Sequence, residues 1–274
     1  MKKGINFWCF PEQWSLEKKL SLANTAGFHG VELNVEESGM FSLESTVEEI
    51  KEISKLVSSY HLEIISLSTG LFWKYPLTSK DVEVRKKAQN VIKRMIDMAK
   101  MLDIDTILVV PGMVNEDIYY DEAYQLAKES LIDLAKYAEN NNVTIAIENV
   151  WNKFLLSPLE MKRFIEEINS THVKAYFDVG NILNFGFPEQ WISILGSYIQ
   201  RIHLKDFKKD VGNIHGFTTL LHGDVNWVQV MKALKAIQYD GYVTAEVMPY
   251  QLFTERFIYE LSESMEVIIQ GGKR

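Results

Sequence analysis

Short runs rich in β-branched residues alternate with longer amphipathic stretches from one end of the chain to the other. Eight runs read as strands, at residues 4–9, 30–35, 63–69, 106–112, 144–150, 173–178, 201–206 and 242–248. Apolar residues at helical spacing fall between them, for example at 15–26, 46–60, 82–102, 122–140, 158–168 and 227–237, with a closing helix at 252–269. Strands that alternate with helices imply right-handed crossovers and a parallel sheet. Eight such units within roughly 250 residues are what a closed (β/α)8 barrel needs. The competing open, doubly wound sheet usually carries a glycine-rich loop after its first strand, and here that place reads Phe7-Trp8-Cys9-Phe10-Pro11. The pattern therefore predicts an α/β chain forming one eight-stranded, parallel, closed barrel over residues 1–274, with no linker or low-complexity tract to mark a second domain.

Parity within the strands says which side chains face the axis, because successive residues point to opposite faces. Ile145 and Ile147 belong under the helices, which turns Glu148 inward. By the same rule Asp178 lies opposite Phe177, His203 opposite Ile202 and Leu204, and Glu246 opposite Ala245 and Val247. Glu32 and Asn34 turn inward beside Val31, Leu33 and Val35. These polar groups collect toward the C-terminal ends of the strands, the end at which barrel enzymes keep their active sites.

Glu148, Asp178, His203 and Glu246 fall on the fifth to eighth predicted strands in succession, so the four can converge on one point. Any one of them could be an ordinary ion pair at a strand end. Three carboxylates together repel one another, and a divalent cation is the simplest group that stabilises the set. Three carboxylates and one imidazole are an oxygen-rich donor set suited to Mn²⁺ or Mg²⁺, with Co²⁺ or Zn²⁺ also compatible. Asn149, Trp151, Asn181, Lys205 and His222 lie near the same strand ends as candidates for holding hydroxyls or an anionic group. Trp8 and Trp73 follow the first and third strands, where an indole could wall off a sugar. Lys205 and Asp206 could also pair with each other, and Met248 and the other methionines read as core filler.

Composition narrows the function classes. Of 274 residues 47% are hydrophobic and 24% charged, as in a folded globular chain, and the net charge is -8. That charge disfavours a nucleic-acid partner. The single cysteine, Cys9, cannot form an internal disulfide, which fits a reducing cytoplasm. No apolar run is long enough to span a bilayer, so no membrane partner is expected.

The order of short motifs adds a resemblance. Gly27-Phe28-His29-Gly30-Val31-Glu32-Leu33, Ile147-Glu148-Asn149, Phe177-Asp178-Val179-Gly180-Asn181, Ile202-His203-Leu204-Lys205-Asp206, Gly223-Asp224-Val225-Asn226-Trp227 and Thr244-Ala245-Glu246 follow one another along the chain. In this the chain resembles the xylose isomerase-like TIM barrel superfamily of sugar and sugar-phosphate isomerases and epimerases. By its ketose 3-epimerase branch, the resemblance implies one divalent metal held by Glu148, Asp178, His203 and Glu246, with the two glutamates as the acid/base pair. It also implies a small sugar or sugar phosphate as substrate, and Trp8, Glu32, Trp73, Asn149, Trp151, Asn181, Lys205 and His222 are its candidate contacts by their places near the strand ends. Several members carry a histidine three residues after the metal aspartate, where this chain has Asn181. The implied chemistry is proton transfer at C3, or at C1/C2, of a ketose through a metal-stabilised cis-enediolate. An inosose dehydratase-like lyase and a non-catalytic sugar-binding barrel stand as alternatives, and a homo-oligomer is compatible with all three.

Overall fold

The computed structural model describes residues 1–271, so the last three positions of the expected domain, 272–274, lie outside the described residues. In chain order the strands are β1 (Lys2–Asn6), β2 (Gly30–Asn34), β3 (Glu63–Ser68), β4 (Thr106–Val109), β5 (Thr144–Glu148), β6 (Val173–Asp178), β7 (Ile199–Leu204), β8 (Asp206–Phe207), β9 (Phe217–Thr218) and β10 (Tyr242–Ala245). Eight of them close into a barrel in the order β1-β10-β7-β6-β5-β4-β3-β2, and β8 and β9 form a separate antiparallel pair. The ladders along the barrel are parallel, as in β1 on β10 and β4 on β5. The helices are α1 (Leu16–Thr25), α2 (Val47–Ser59), α3 (Leu71–Lys74), α4 (Val82–Met101), α5 (Tyr120–Asn141), α6 (Pro158–Ile168), α7 (Pro188–Leu195), α8 (Trp227–Ala236) and α9 (Thr254–Gly271).

Local chemistry sets the helix ends. Before α2, Thr46 and Glu49 form a reciprocal capping box: the Glu49 carboxylate accepts from Thr46 N at 2.7 Å, and Thr46 Oγ1 accepts from Glu49 N at 3.3 Å. Ser157 caps α6 through Glu160 N, Pro158 opens its first turn, and left-handed Asn169 (φ 55°) closes it. The helix so bounded coincides with the 158–168 expected from apolar spacing.

Tertiary contacts group the described residues into two compact halves, whose boundaries cut through β2, α2, β3 and β6. Among the described residues the first holds 1–33, 54–65 and 177–271. Within it β1 is flanked by β10 and β2, and Gly4 and Gly30 leave room for Ile65, whose side-chain carbons would lie 2.5 Å from a Cβ at either position. Lys3 is buried here, its Nζ donating to Ser262 Oγ at 2.9 Å. The second half holds Asn34–Ile53 and Ser66–Tyr176. In it β4 and β5 pair over four residues, and Arg94 ties the approach to α2 by donating to Leu43 O at 2.9 Å and to Ser45 O.

Three details differ from the sequence pattern. Several expected strands run on past the observed ladders, at 7–9, 110–112, 149–150 and 246–248. The chain stays largely buried there, at Cys9, Val110, Asn149 and Val247, so hydropathy does not register where the ladder stops. Residues Phe7–Cys9 instead form a 3-10 turn, with Asn6 Oδ1 accepting from Trp8 N at 2.7 Å. Secondly, α7 is an eight-residue helix between Gly186 and Gly196, with Trp191, Ile192 and Leu195 buried and Glu189, Gln190 and Ser193 on its polar side, too short for a helical period to stand out. Thirdly, Met248 is 79% exposed and Met40 68%, so these two are not core filler, whereas Met95, Met98, Met161, Met231 and Met265 are.

Candidate metal centre

Glu148 ends β5, Asp178 ends β6, His203 is the fifth residue of β7, and Glu246 follows the last residue of β10. Each offers a ligand atom, and these atoms all lie within 4.8 Å of one another. Asp178 and His203 are fully buried, and Glu148 is nearly so. Strand parity gathers the group: each acid or imidazole alternates with an apolar neighbour committed to the opposite face.

Around His203 the geometry is specific. Its Nε2 lies 2.8 Å from Glu32 Oε1, and its Nδ1 lies 3.3 Å from Glu246 Oε2. Asn6 Nδ2 donates to the same Glu32 oxygen. The Lys205 ammonium sits 2.7 Å from Glu246 Oε2 and 3.2 Å from Asp178 Oδ2. A cationic group thus already lies between two of the acids. Burial pushes the Asp178 carboxyl above its ordinary range, with Lys205 opposing and Glu246 reinforcing the shift. Burial would raise Glu246 also, but the Lys205 ammonium and His203 outweigh it and hold this carboxyl well below the carboxylate range. Three carboxylates, one imidazole and a charge already drawn between them fit a divalent cation.

The other sequence candidates separate into groups. Glu32 lies in the interior, but on His203. Asn149 and Asn181 are buried, and Asn181 N donates to Asp178 Oδ1 at 2.7 Å. Trp151 is half-buried, while Trp8 is exposed on the 3-10 turn after β1 and Trp73 on α3 after β3. His222 is exposed on the loop before α8, where it acts on Glu260 of α9 and lowers that carboxyl, behind the nearer Arg256 and Tyr250.

Lys205 does not pair with Asp206, since adjacent strand residues point apart. Asp206 Oδ1 accepts from Phe207 N at 2.9 Å and Val225 N at 3.2 Å, and its Oδ2 accepts from Trp227 Nε1 at 3.2 Å. Gly223 is required beside it, since a Cβ there would meet Asp206 Oδ1 at 2.2 Å. Gly180 plays a like part in the Asp178 motif, where a Cβ would come within 2.6 Å of Lys205 O. Sequence reasoning missed Asn6, although its inward parity at the end of β1, in step with Gly4, was there to be read.

Cys9 is fully buried, and its Sγ accepts from Val247 N at 3.3 Å. Burial pushes its thiol up to about 12, against the weaker lowering effect of that hydrogen bond. At pH 8 the thiolate fraction is then about 10⁻⁴. The native protein should not react with a disulfide reagent such as DTNB over an hour at pH 8 and should release one equivalent of thiol in denaturant. Rapid release from the folded protein would contradict this burial.

A family profile described as xylose isomerase-like TIM barrel matches residues 20–267. The chain belongs to that family. Among its relatives is SgbU of Haemophilus influenzae, provisionally named an L-ribulose-5-phosphate 3-epimerase, 25% identical over 98% of this chain and 96% of its own. The L-ribulose-5-phosphate 3-epimerase UlaE of Salmonella paratyphi A is 25% identical over 82% of this chain and 79% of its own. The IolI protein, solved with a bound zinc atom, superposes with a TM-score of 0.84 over 99% of both chains at 18% identity, a likeness of fold. Among the described residues no helix is long and apolar enough to cross a membrane.

Proposed function

We propose that this chain is a divalent-cation-dependent 3-epimerase of a ketose phosphate, of the class of L-ribulose 5-phosphate. The observation that carries the reading is the presence of two glutamates, Glu148 and Glu246, in one 4.8 Å group with Asp178 and His203. A site for a cation alone would not call for an acid/base pair. The names of the relatives support a 3-epimerase and a phosphorylated pentulose.

Glu148, Asp178, His203 and Glu246 would hold the cation, with Mn²⁺ or Mg²⁺ favoured by the donor set. When bound, the cation supplies Lewis acidity toward the oxygens of the substrate. One glutamate accepts the C3 proton from one face of the ketose, and the other returns a proton to the opposite face, which inverts that carbon. Lys205, between Asp178 and Glu246, offsets the negative charge that grows on the substrate as the proton leaves. Asn149, Trp151 and Asn181 are proposed to hold hydroxyls, and the indoles of Trp8 and Trp73 to cover the sugar.

The test is an incubation of L-ribulose 5-phosphate with the protein and Mn²⁺ in D₂O. The C3 epimer should appear with deuterium at C3, EDTA should stop the reaction, and added Mn²⁺ should restore it. Turnover of free ketoses alone would remove the phosphate from the proposal. Absence of exchange into every ketose and ketose phosphate tried would overturn the epimerase itself.

A further inference from the structure

The sequence places Glu32 among the substrate contacts, but its side chain is fully buried and spent on His203. A carboxylate only accepts hydrogen bonds, so in the 2.8 Å contact the ring donates its Nε2–H to Glu32. The other nitrogen, Nδ1, faces Glu246 Oε2 at 3.3 Å, on the side of the acid cluster. Asn6 donates its Nδ2 to the same Glu32 oxygen while its Oδ1 accepts from Trp8 N at 2.7 Å, so the turn after β1 fixes the amide that fixes the carboxylate. β1 and β2 are paired here, with Asn6 in register with Glu32.

We propose that Glu32, held by Asn6, is a positioning residue: it accepts the Nε2–H of His203 and so presents Nδ1 to a cation held by Glu148, Asp178, His203 and Glu246. A carboxylate on the far nitrogen of a ligating imidazole orients the ring, selects the tautomer and raises the basicity of the ligating nitrogen, and losing it costs about 10–100-fold in metal affinity. Glu32 touches neither substrate nor cation in this scheme. The inference rests on the cation-holding part of the proposed function.

Two measurements test it. In metal-free protein labelled with ¹⁵N-histidine, and with the His203 signals assigned by their loss in His203→Asn, wild type should carry a ring proton on Nε2. An Nε2 without a proton would overturn the proposal, and this measurement needs no Glu32 variant to fold. Titration with Co²⁺ gives the second readout. Glu32→Gln keeps the shape but not the charge, and it should bind Co²⁺ about 10–100-fold more weakly than wild type while its far-UV circular dichroism is unchanged. Equal affinity in the two proteins would overturn it. If wild type binds no Co²⁺, the cation reading fails on its own account, and the Nε2 proton still decides whether Glu32 sets the ring.

Discussion

Replacing either Glu148 or Glu246 by glutamine is expected to lower kcat for epimerisation by about 10²- to 10⁴-fold, the usual range for loss of a general acid or base. Glutamine keeps one oxygen donor and nearly the same volume, so the fold should stay intact. The two variants should differ in a telling way. Inversion needs a proton taken from one face and returned to the other, so each variant keeps the group that serves one face. Glu148→Gln should still exchange the C3 proton of one epimer with solvent, and Glu246→Gln that of the opposite epimer, each much faster than it interconverts them. Deuterium incorporation followed by NMR for each pure epimer reads this directly. Full epimerisation by either variant would sink the two-base assignment. Loss of Co²⁺ binding in a variant would show that its glutamate matters as a ligand rather than as a base.

The largest expected effect on stability lies beside the site. Asp206→Ala should destabilise the protein by about 3 kcal/mol, because Phe207 N, Val225 N and Trp227 Nε1 lose an acceptor in a fully buried place. For a chain of this size that corresponds to a fall in Tm on the order of 6–12 °C. Trp227→Phe removes one donor and leaves the carboxylate its two backbone bonds, so its loss should be smaller, about 1 kcal/mol from the hydrogen bond. Urea unfolding of the three proteins compares them. A change below about 1 kcal/mol in Asp206→Ala would show that water replaces the carboxylate. The Ile202–Asp206 and Gly223–Trp227 motifs thus share one physical cause: Gly223 makes space for a carboxylate that ties the loop before α8 to β8.

The chain by itself determined the strand and helix cadence, the closed barrel, and the inward parity of Glu148, Asp178, His203 and Glu246. Those follow from local rules, since alternation along a strand assigns each side chain to a face and capping residues such as Ser157 and Asn169 mark helix ends. The short α7 and the strand ends at 7–9 and 246–248 were less legible, because α7 has barely two turns and apolar residues continue past the ladders, buried at Cys9 and Val247 but exposed at Trp8 and Met248. Only the tertiary structure decided who partners whom. Glu32 and His203 are 171 residues apart, and the Lys205 ammonium meets Asp178 and Glu246, which come from two other strand ends. Parity says that a charged group points inward; which oppositely charged or hydrogen-bonding group it meets there depends on the stagger between strands, and no local pattern encodes that distance.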